Sequence, residues 1–241
     1  MIDFEVQPLS QAVWGKGGRS FVEYRDLGAV DATDGQIRFE HDRVVGSAAE
    51  MQTGWHCHHL DLQFVYVLRG WLRLKVQGMA DMLINEGDAL ILPGGLPHDE
   101  TSFSDDYEVL HILVPPKYDT EILGAPDSES RPAKTATLGL SAPPTGGSAR
   151  WNVLCADVTN KYGLVAKEFR GSAGDDAVLL PQGHQFFFVV GGSAVLGGAK
   201  GKSQVSRADA ALLPDDGVHS LEQMTHDFRA LAIRIFKAAR L

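Results

Sequence analysis

The sequence has few cysteines, no long apolar run and fewer basic than acidic residues. Cys57 and Cys155 are the only cysteines among 241 residues, too few for a disulfide framework. Lys and Arg number 22 against 31 Asp and Glu, and the net charge of -9 disfavours binding to a phosphate backbone. No run approaches the roughly 20 apolar residues of a membrane-spanning helix, and the N-terminus lacks a basic region followed by an apolar one. We therefore expect a cytoplasmic protein without a nucleic-acid or membrane partner.

The chain is instead rich in short apolar segments separated by turn-forming residues. Its 26 glycines and 11 prolines lie between segments such as FVYVLRG and QFFFVVGG, which are rich in Val, Ile, Leu and Phe. Segments of this length and composition at short spacing are typical of strands in a sandwich or barrel. Helix is expected only near Lys117–Leu123 and at Lys237–Leu241. The sequence predicts an all-β protein.

Residues 119–150 differ in composition from the segments on either side. They are rich in Pro, Ser, Thr, Gly and Ala, which bury too little apolar surface to form a core. We interpret them as a linker between an N-terminal unit at residues 19–118 and a C-terminal unit at residues 151–241. Each unit is long enough for a small β domain. Residues 1–18 form an N-terminal extension, expected to add an edge strand to one unit or to a neighbouring chain.

The two units repeat one another in sequence. An offset of 122 positions aligns QFVYVLRG, which begins at Gln63, with QFFFVVGG, which begins at Gln185. An offset of 121 aligns DALILP, which begins at Asp88, with DAALLP, which begins at Asp209. Two collinear matches at nearly one offset indicate that both units are built on the same plan.

A pair of histidines in the segment GWHCHH carries the main chemical signal. Side chains alternate along a strand, so His56 and His58 would point to one face and Cys57 to the other. Gln63 and His98 could complete a ligand set from neighbouring strands. Imidazole nitrogens and an amide oxygen suit Fe, Zn, Ni, Cu or Mn. A single buried histidine is more often a hydrogen-bonded core residue, so the prediction depends on the joint pattern.

That joint pattern resembles the two sequence motifs of the cupin superfamily. The spacing H-x-H-x4-Q-x6-G from His56 to Gly70 is similar to the first motif from its first histidine onward. The spacing G-x5-P-x-G-x2-H from Gly87 to His98 is similar to the second motif. The resemblance implies two tandem antiparallel jelly-roll (cupin) barrels in one chain, a bicupin.

The resemblance also implies one divalent transition metal per chain, held in the N-terminal barrel by His56, His58, Gln63 and His98. In the C-terminal unit Val178 and Leu180 stand at the positions of the histidine pair. Gln185 and His219 keep the other two positions, but two ligands are too few to hold a metal. His184 is a further histidine there, placed on the opposite face by its parity. We expect no metal in that barrel.

Three positions depart from the cupin motifs. Glu50 replaces the leading glycine of the first motif and Ser102 the final asparagine of the second, and both affect turns. Gln63 replaces the glutamate ligand. Three imidazoles and an amide leave the charge of the ion uncompensated, which favours an anionic or enolisable oxygen ligand from the substrate.

Five weaker candidates for acid–base chemistry or pocket lining are Tyr66, Arg73, Asp99, Glu100 and His111. For Asp99 and Glu100 the competing interpretation is a solvated turn. His59 is an alternative ligand if the strand register shifts by one position, and otherwise a surface residue or a residue that contacts a ligand. Cys57 is interpreted as a packing residue.

Three classes of function are consistent with these residues, each with a small molecule as partner. The first expectation is an Fe(II)-type dioxygenase whose substrate binds through carboxylate, ketone or hydroxyl oxygens. The second is a lyase, isomerase or sugar-acid converting cupin in which Zn, Ni or Mn polarises a carbonyl. The third is a non-catalytic binding barrel. Because cupins often pair through barrel faces, a homodimer is a further expectation.

Overall fold

Short strands make up most of the chain. The computed structural model describes residues 4–46, 52–125, 136–139, 150–157, 162–183, 186–214 and 217–237. Within these residues the regular structure is strand apart from a 3₁₀ turn at Leu9–Gln11 and one short helix, α1, at Ala29–Ala32. The predicted all-β class is confirmed. Neither of these helical segments has the length or the hydropathy to cross a bilayer.

The strands, in chain order, are β1 (Glu5–Gln7), β2 (Gly15–Lys16), β3 (Val22–Asp26), β4 (Arg38–Val44), β5 (His56–His58), β6 (Leu62–Arg69), β7 (Trp71–Val76), β8 (Met82–Asn85), β9 (Ala89–Pro93), β10 (His98–Phe103), β11 (Glu108–Val114), β12 (Thr120–Ile122), β13 (Thr137–Gly139), β14 (Arg150–Asp157), β15 (Tyr162–Arg170), β16 (Val178–Leu179), β17 (Phe186–Gly191), β18 (Ser193–Gly198), β19 (Gly201–Ser206), β20 (Ala210–Leu212), β21 (Ser220–Glu222) and β22 (Arg229–Lys237).

The chain divides into two compact units. The first unit is Val13–Ser141, and the second combines Met1–Ala12 with Ala142–Leu241. The N-terminal residues join the second unit through β1, an edge strand paired with β20. In the first unit the equivalent edge position is taken by β13, which pairs with β9.

The first unit consists of two antiparallel sheets. One has the order β13-β9-β6-β11-β4-β3-β2 and the other β12-β5-β10-β7-β8. Strand β7 has the period-2 pattern of a strand with one face in the core, since Leu72, Leu74 and Val76 are buried and the residues between them are not. These side chains pack with Val65 of β6 and Leu90 of β9 in one apolar cluster. The core of the first unit is therefore formed by both sheets.

The second unit repeats this arrangement. Its sheets have the orders β1-β20-β17-β22-β15-β14 and β16-β21-β18-β19. The order β20-β17-β22-β15 is that of β9-β6-β11-β4 in the first unit, as the sequence repeat requires. The core is formed around Phe169, Phe187 and Phe228. The prediction of two tandem jelly-roll barrels is confirmed.

The helix predicted near Lys117–Leu123 is wrong. Thr120–Ile122 instead form β12, which pairs with β5 in antiparallel register. The β-branched residues at both ends of β12 favour a strand, and pairing with a sheet edge outweighs weak local helix propensity. In the other predicted helix, Lys237 ends β22 and residues 238–241 lie outside the described residues.

The turn between β9 and β10 provides a test of backbone packing. A Cβ atom on Gly94 would lie 1.6 Å from the carbonyl oxygen of Leu60, whereas one on Gly95 would meet nothing within 4 Å. Gly95 has a φ of 78°. We expect Gly95→Ala to cost about 1–2 kcal/mol through backbone strain alone. Gly94→Ala should cost about 3 kcal/mol or more, because two backbone segments must separate.

Calorimetric unfolding of the two variants measures this difference. At about 2–4 °C per kcal/mol for a chain of this size, Gly94→Ala should lower the Tm clearly more than Gly95→Ala. Equal shifts would contradict the close approach of Gly94 to Leu60.

Candidate metal centre

Three histidines meet where β5 pairs with β10. His56 begins β5 and His98 begins β10, and the two are direct partners in the antiparallel register. His58 lies two positions along β5, so its side chain points to the same face as that of His56. The ring centroids are 4.3 Å apart for His56 and His98, 4.8 Å for His56 and His58, and 5.2 Å for His58 and His98. We call these residues the histidine triad.

The hydrogen bonds of His56 and His98 leave the second ring nitrogen of each histidine available as a metal ligand. His56 Nδ1 lies 2.7 Å from the carbonyl oxygen of Gly54, and His98 Nδ1 lies 2.9 Å from that of Leu96. A carbonyl oxygen only accepts, so Nδ1 donates its proton in both pairs and Nε2 keeps a lone pair. His56 Nε2 is buried without a hydrogen-bond partner among the described residues. One ligand atom from each histidine lies within 4.8 Å of the other two, so the triad fits a metal ion.

Electrostatics keeps two of the imidazoles in the neutral form that binds metals. Burial lowers the pKa of His58 to about 3, with further contributions from His98 and His56. Burial and the neighbouring His56 lower the pKa of His98 to about 4, although its bond to Leu96 acts in the opposite direction. Both rings are therefore neutral at physiological pH. Thr120 of β12 fixes the orientation of His58, since its Oγ1 lies 2.9 Å from His58 Nδ1.

A cavity of about 620 Å³ opens beside the triad. His56 and His58 line it, as does Gln63 of β6, whose residue is only 6% exposed. Gln63 follows His58 in the chain but lies on the other sheet of the first unit, so it reaches the cavity from a different wall. Of the four residues of the motif, His56, His58 and Gln63 line the cavity, and His98 lies opposite His56 in the strand register.

A partly buried ion pair lies next to the triad. Glu100 is two positions after His98 on β10, and its Oε2 is 2.6 Å from Arg19 Nη1. Burial acts to raise the pKa of Glu100, but Arg19 and the neighbouring histidines outweigh it and lower the pKa to about 2. Glu100 is therefore a permanent negative charge near the triad, neutralised by Arg19.

A second group of ionisable residues lines the cavity from β4 and β11. Asp42 Oδ2 lies 2.6 Å from His111 Nδ1, and Glu40 is the register partner of His111. Burial opposes charge on His111, but the hydrogen bond to Asp42 outweighs it and raises the pKa of the imidazole. Burial and the adjacent Asp42 raise the pKa of Glu40 to about 7. We call Glu40, Asp42 and His111 the Asp42 cluster; it holds groups able to gain and lose protons near neutral pH.

The five weaker sequence candidates are placed differently. Glu100 and His111 line the cavity, and Tyr66, Arg73 and Asp99 are not among its lining residues. Tyr66 is fully buried in β6, Arg73 is exposed on β7, and Asp99 alternates with His98 along β10 and so points away from the triad.

Sequence reasoning missed Arg19, Glu40 and Asp42. The segment RFEHDRV of β4 carried a signal for the two acids, because Glu40 and Asp42 are two apart on a strand and share a face. That face could not be assigned to the cavity without the register of β4 against β11. Arg19 lies outside the strands and had no comparable signal.

In the second unit, Val178 lies on β16 and Leu180 directly follows it, at the positions of the histidine pair. His219 is buried. His184 and Gln185 lie outside the described residues, so their predicted placement is not described. Among the residues that are described, the clusters of three His, Cys, Asp or Glu side chains with metal-ligand spacing lie in the first unit.

The lowered pKa values of His58 and His98 predict how stability depends on pH. An unfolded histidine titrates near 6.5, above His58 and His98 in the folded state, so between about pH 4 and 6.5 the unfolded chain binds more protons. The contribution of these two histidines to the stability of the metal-free protein should therefore fall as the pH is lowered from 7 to 5, by up to about 1.4 kcal/mol per pH unit for each, while Glu40 with its raised pKa acts in the opposite direction.

Urea unfolding at a series of pH values tests this. We expect His58→Gln to flatten the dependence and Arg73→Gln to leave it unchanged. A dependence that is equally steep in His58→Gln and the unmutated protein would contradict the assignment.

Comparisons with known proteins agree with the geometry. Residues 45–113 match the family model of the cupin domain. No curated protein sequence matches the chain significantly. Among solved structures, one mutant of oxalate decarboxylase from Bacillus subtilis superposes with a TM-score of 0.69 at 14% identity, covering 98% of this chain and 78% of that chain. A structure of the same enzyme concerned with its Mn(II) centres gives a TM-score of 0.68 at 14% identity, with the same coverage.

These similarities concern the fold of the chain and the segment that holds the candidate site. At such low identity, the structural likeness establishes the fold. The family model covers the segment that contains the histidine triad and Gln63. The resemblance to the cupin superfamily is therefore supported by the family match over residues 45–113 and by the fold of the chain.

Proposed function

We propose that the chain is a metal-dependent enzyme that carries out non-oxidative proton-transfer chemistry, of the lyase or isomerase type, on a small oxygen-rich molecule. The observation that carries this proposal is that the histidine triad and the Asp42 cluster line or adjoin one cavity of the first unit. One set of residues suits an ion and the other suits acid–base catalysis.

The donor set of the proposed metal site supports a divalent transition ion. His56, His58 and His98 would hold it, with Gln63 as a weaker fourth ligand. The ion, when bound, would act as a Lewis acid that polarises a carbonyl or carboxylate oxygen of the substrate. Because all four protein ligands are neutral, they favour a substrate that brings an anionic oxygen.

Proton transfer is assigned to the Asp42 cluster. Asp42 accepts the Nδ1–H of His111 and so orients the ring, which leaves Nε2 as the nitrogen that exchanges a proton with the substrate. Glu40, with its pKa near 7, is the second group able to act as base or acid at neutral pH. Arg19 holds Glu100 ionised, so Glu100 contributes charge rather than a proton.

The volume of the cavity constrains the substrate. About 620 Å³ is within the range of roughly 300–1,000 Å³ found for sites that bind drug-sized ligands, far more than a two-carbon dicarboxylate fills. The walls offer arginines, carboxylates and the phenols of Tyr24 and Tyr118. A polyhydroxylated or keto acid of sugar size fits this lining better than oxalate, the substrate named for the structural neighbours.

The metal at this site is proposed to be manganese or iron. Imidazole and amide ligands suit Mn, Fe, Ni or Zn alike. The structural neighbours include an enzyme studied for Mn(II) centres, which adds manganese to the leading options beside iron.

An Fe(II) dioxygenase is the second candidate. It is favoured by the three imidazoles, which suit iron and leave room for two further ligands beside the triad. It needs no proton-transfer groups of the kind found in the Asp42 cluster, and for this reason we place it second.

Turnover with and without oxygen distinguishes the two. The unmutated protein, loaded in turn with Mn, Fe or Zn, is incubated in D₂O under argon with a panel of keto acids and uronic acids, and exchange or loss of C–H signals is followed by NMR. We expect anaerobic turnover that His111→Gln reduces about 100-fold or more while metal content is retained. Arg73→Gln, exposed on the outside of β7, is the matched control and should keep full activity.

The alternatives give different results. Oxygen uptake that requires iron, with no anaerobic reaction, would favour the dioxygenase. Metal-free protein that still binds members of the panel would favour the binding barrel.

The role of Gln63 can be tested by metal affinity alone. Gln63→Glu adds a negative charge to the ligand set and should tighten binding of Mn(II) or Zn(II) about tenfold or more, and Gln63→Ala should weaken it. Competition with a chelating indicator at fixed pH gives the affinities. Equal affinities in all three proteins would remove Gln63 from the ligand set.

A further inference from the structure

The outer side of β5 carries another group of side chains of the types that can bind a metal ion. Cys57 and His59 alternate with His56 and His58, so they point away from the cavity. Glu121 of β12 is the direct register partner of Cys57 in the antiparallel pairing. The three side chains come from two adjacent paired segments, outside the histidine triad.

These side chains converge on one carboxylate oxygen. Cys57 Sγ lies 3.9 Å and His59 Nε2 lies 3.1 Å from Glu121 Oε2. One ligand atom from each residue lies within 4.8 Å of the other two. Around a tetrahedral zinc ion, with bonds of about 2.3 Å to sulfur and 2.0 Å to nitrogen and oxygen, ligand atoms are about 3.3–3.6 Å apart. The observed separations bracket that range, so small side-chain movements would complete the geometry.

The exposure of the three residues suits an ion that enters from solvent. His59 and Glu121 have side chains that are 54% exposed, whereas Cys57 is only 5% exposed. The sulfur is thus shielded at the base of the group, and the nitrogen and oxygen form its open rim. Thiolate, imidazole and carboxylate together are a donor set that zinc and similar borderline ions prefer.

The backbone holds the ligands in place before any ion binds. The backbone N–H of His59 donates to the carbonyl oxygen of Asp119 at 2.8 Å, and β12 pairs with all three residues of β5. The competing interpretation is a hydrogen-bonded His59–Glu121 ion pair that happens to lie above a buried thiol. An exposed pair of that kind needs no buried sulfur beside it.

We propose that Cys57, His59 and Glu121 form a second divalent-metal site of zinc type, with a fourth position open to water or an external ligand. This outer site does not depend on the proposed function of the inner one. An ion there would join β12 to β5, and Thr120 of β12 contacts His58 of the triad. Occupancy of the outer site would therefore hold in place a residue that orients an inner ligand.

Cobalt(II) titration of the full chain, stripped of metal beforehand, tests the proposal because a cobalt–thiolate bond gives a charge-transfer band in the near ultraviolet that imidazole ligands do not. The unmutated protein should show this band. Cys57→Ser should abolish it and weaken cobalt binding at the outer site about 100-fold or more, beyond the usual effect of removing a residue that only supports a ligand. Cys155→Ser, which removes the other cysteine, should leave the band intact.

Variants of the other two outer ligands and of the inner site show which site gives the band. His59→Ala and Glu121→Gln change exposed positions without disturbing the core, and each should weaken the thiolate band at a fixed cobalt concentration. His98→Ala/Gln63→Ala alters the inner site without substituting any residue of β5 or β12, and it should keep the band while losing one bound ion per chain.

The outcomes separate the two sites. Absence of the band at saturating cobalt, or its persistence in Cys57→Ser, would overturn the outer site. A band accompanied by only one ion per chain in the unmutated protein would support the outer site and count against the inner one.

Discussion

The pairing of β5 with β10, with His56 directly opposite His98, is the constraint on which the site of this protein depends. Side chains alternate with a period of two, so a shift of one position would turn Cys57 and His59 toward the cavity and remove both histidines of β5 from it. Carbonyl groups of Gly54 and Leu96 fix the rings of His56 and His98 at the start of the two strands. The tight turn at Gly94, which lies against the backbone of Leu60, holds the approach to β10.

Comparison of the two units distinguishes what the fold requires from what the site requires. The order β9-β6-β11-β4 of the first unit has its equivalent, β20-β17-β22-β15, in the second, and both units bury an apolar cluster. In the second unit Val178 and Leu180 stand where the first has His56 and His58, and the sheets form without them. Packing of the two sheets and backbone pairing are therefore sufficient for the barrel, and the histidine pair of β5 is not required for it.

Charge is distributed unevenly around that cavity. Burial and the neighbouring imidazoles lower the pKa of His58 and of His98, which keeps these two rings neutral and able to bind a cation. Glu100 is kept ionised by Arg19, whereas the burial of Glu40 beside Asp42 keeps its proton available near neutral pH. Two carboxyl groups in one cavity thus have different protonation because their neighbours differ, the arrangement that acid–base chemistry requires.

The sequence by itself determined the all-β class, the repeat and the meeting of His56, His58 and His98, because turn residues, strand periodicity and motif spacing are local or repeated signals. It also placed Gln63 in the proposed ligand set. Only the tertiary structure decided that Thr120–Ile122 form a strand, that Tyr66 and Arg73 lie away from the cavity, and that Asp42 meets His111. Those contacts join segments distant in the chain, and their register depends on how whole strands pair. Local sequence records which face a residue shares with its near neighbours, but the packing of the sheets decides which cavity that face lines.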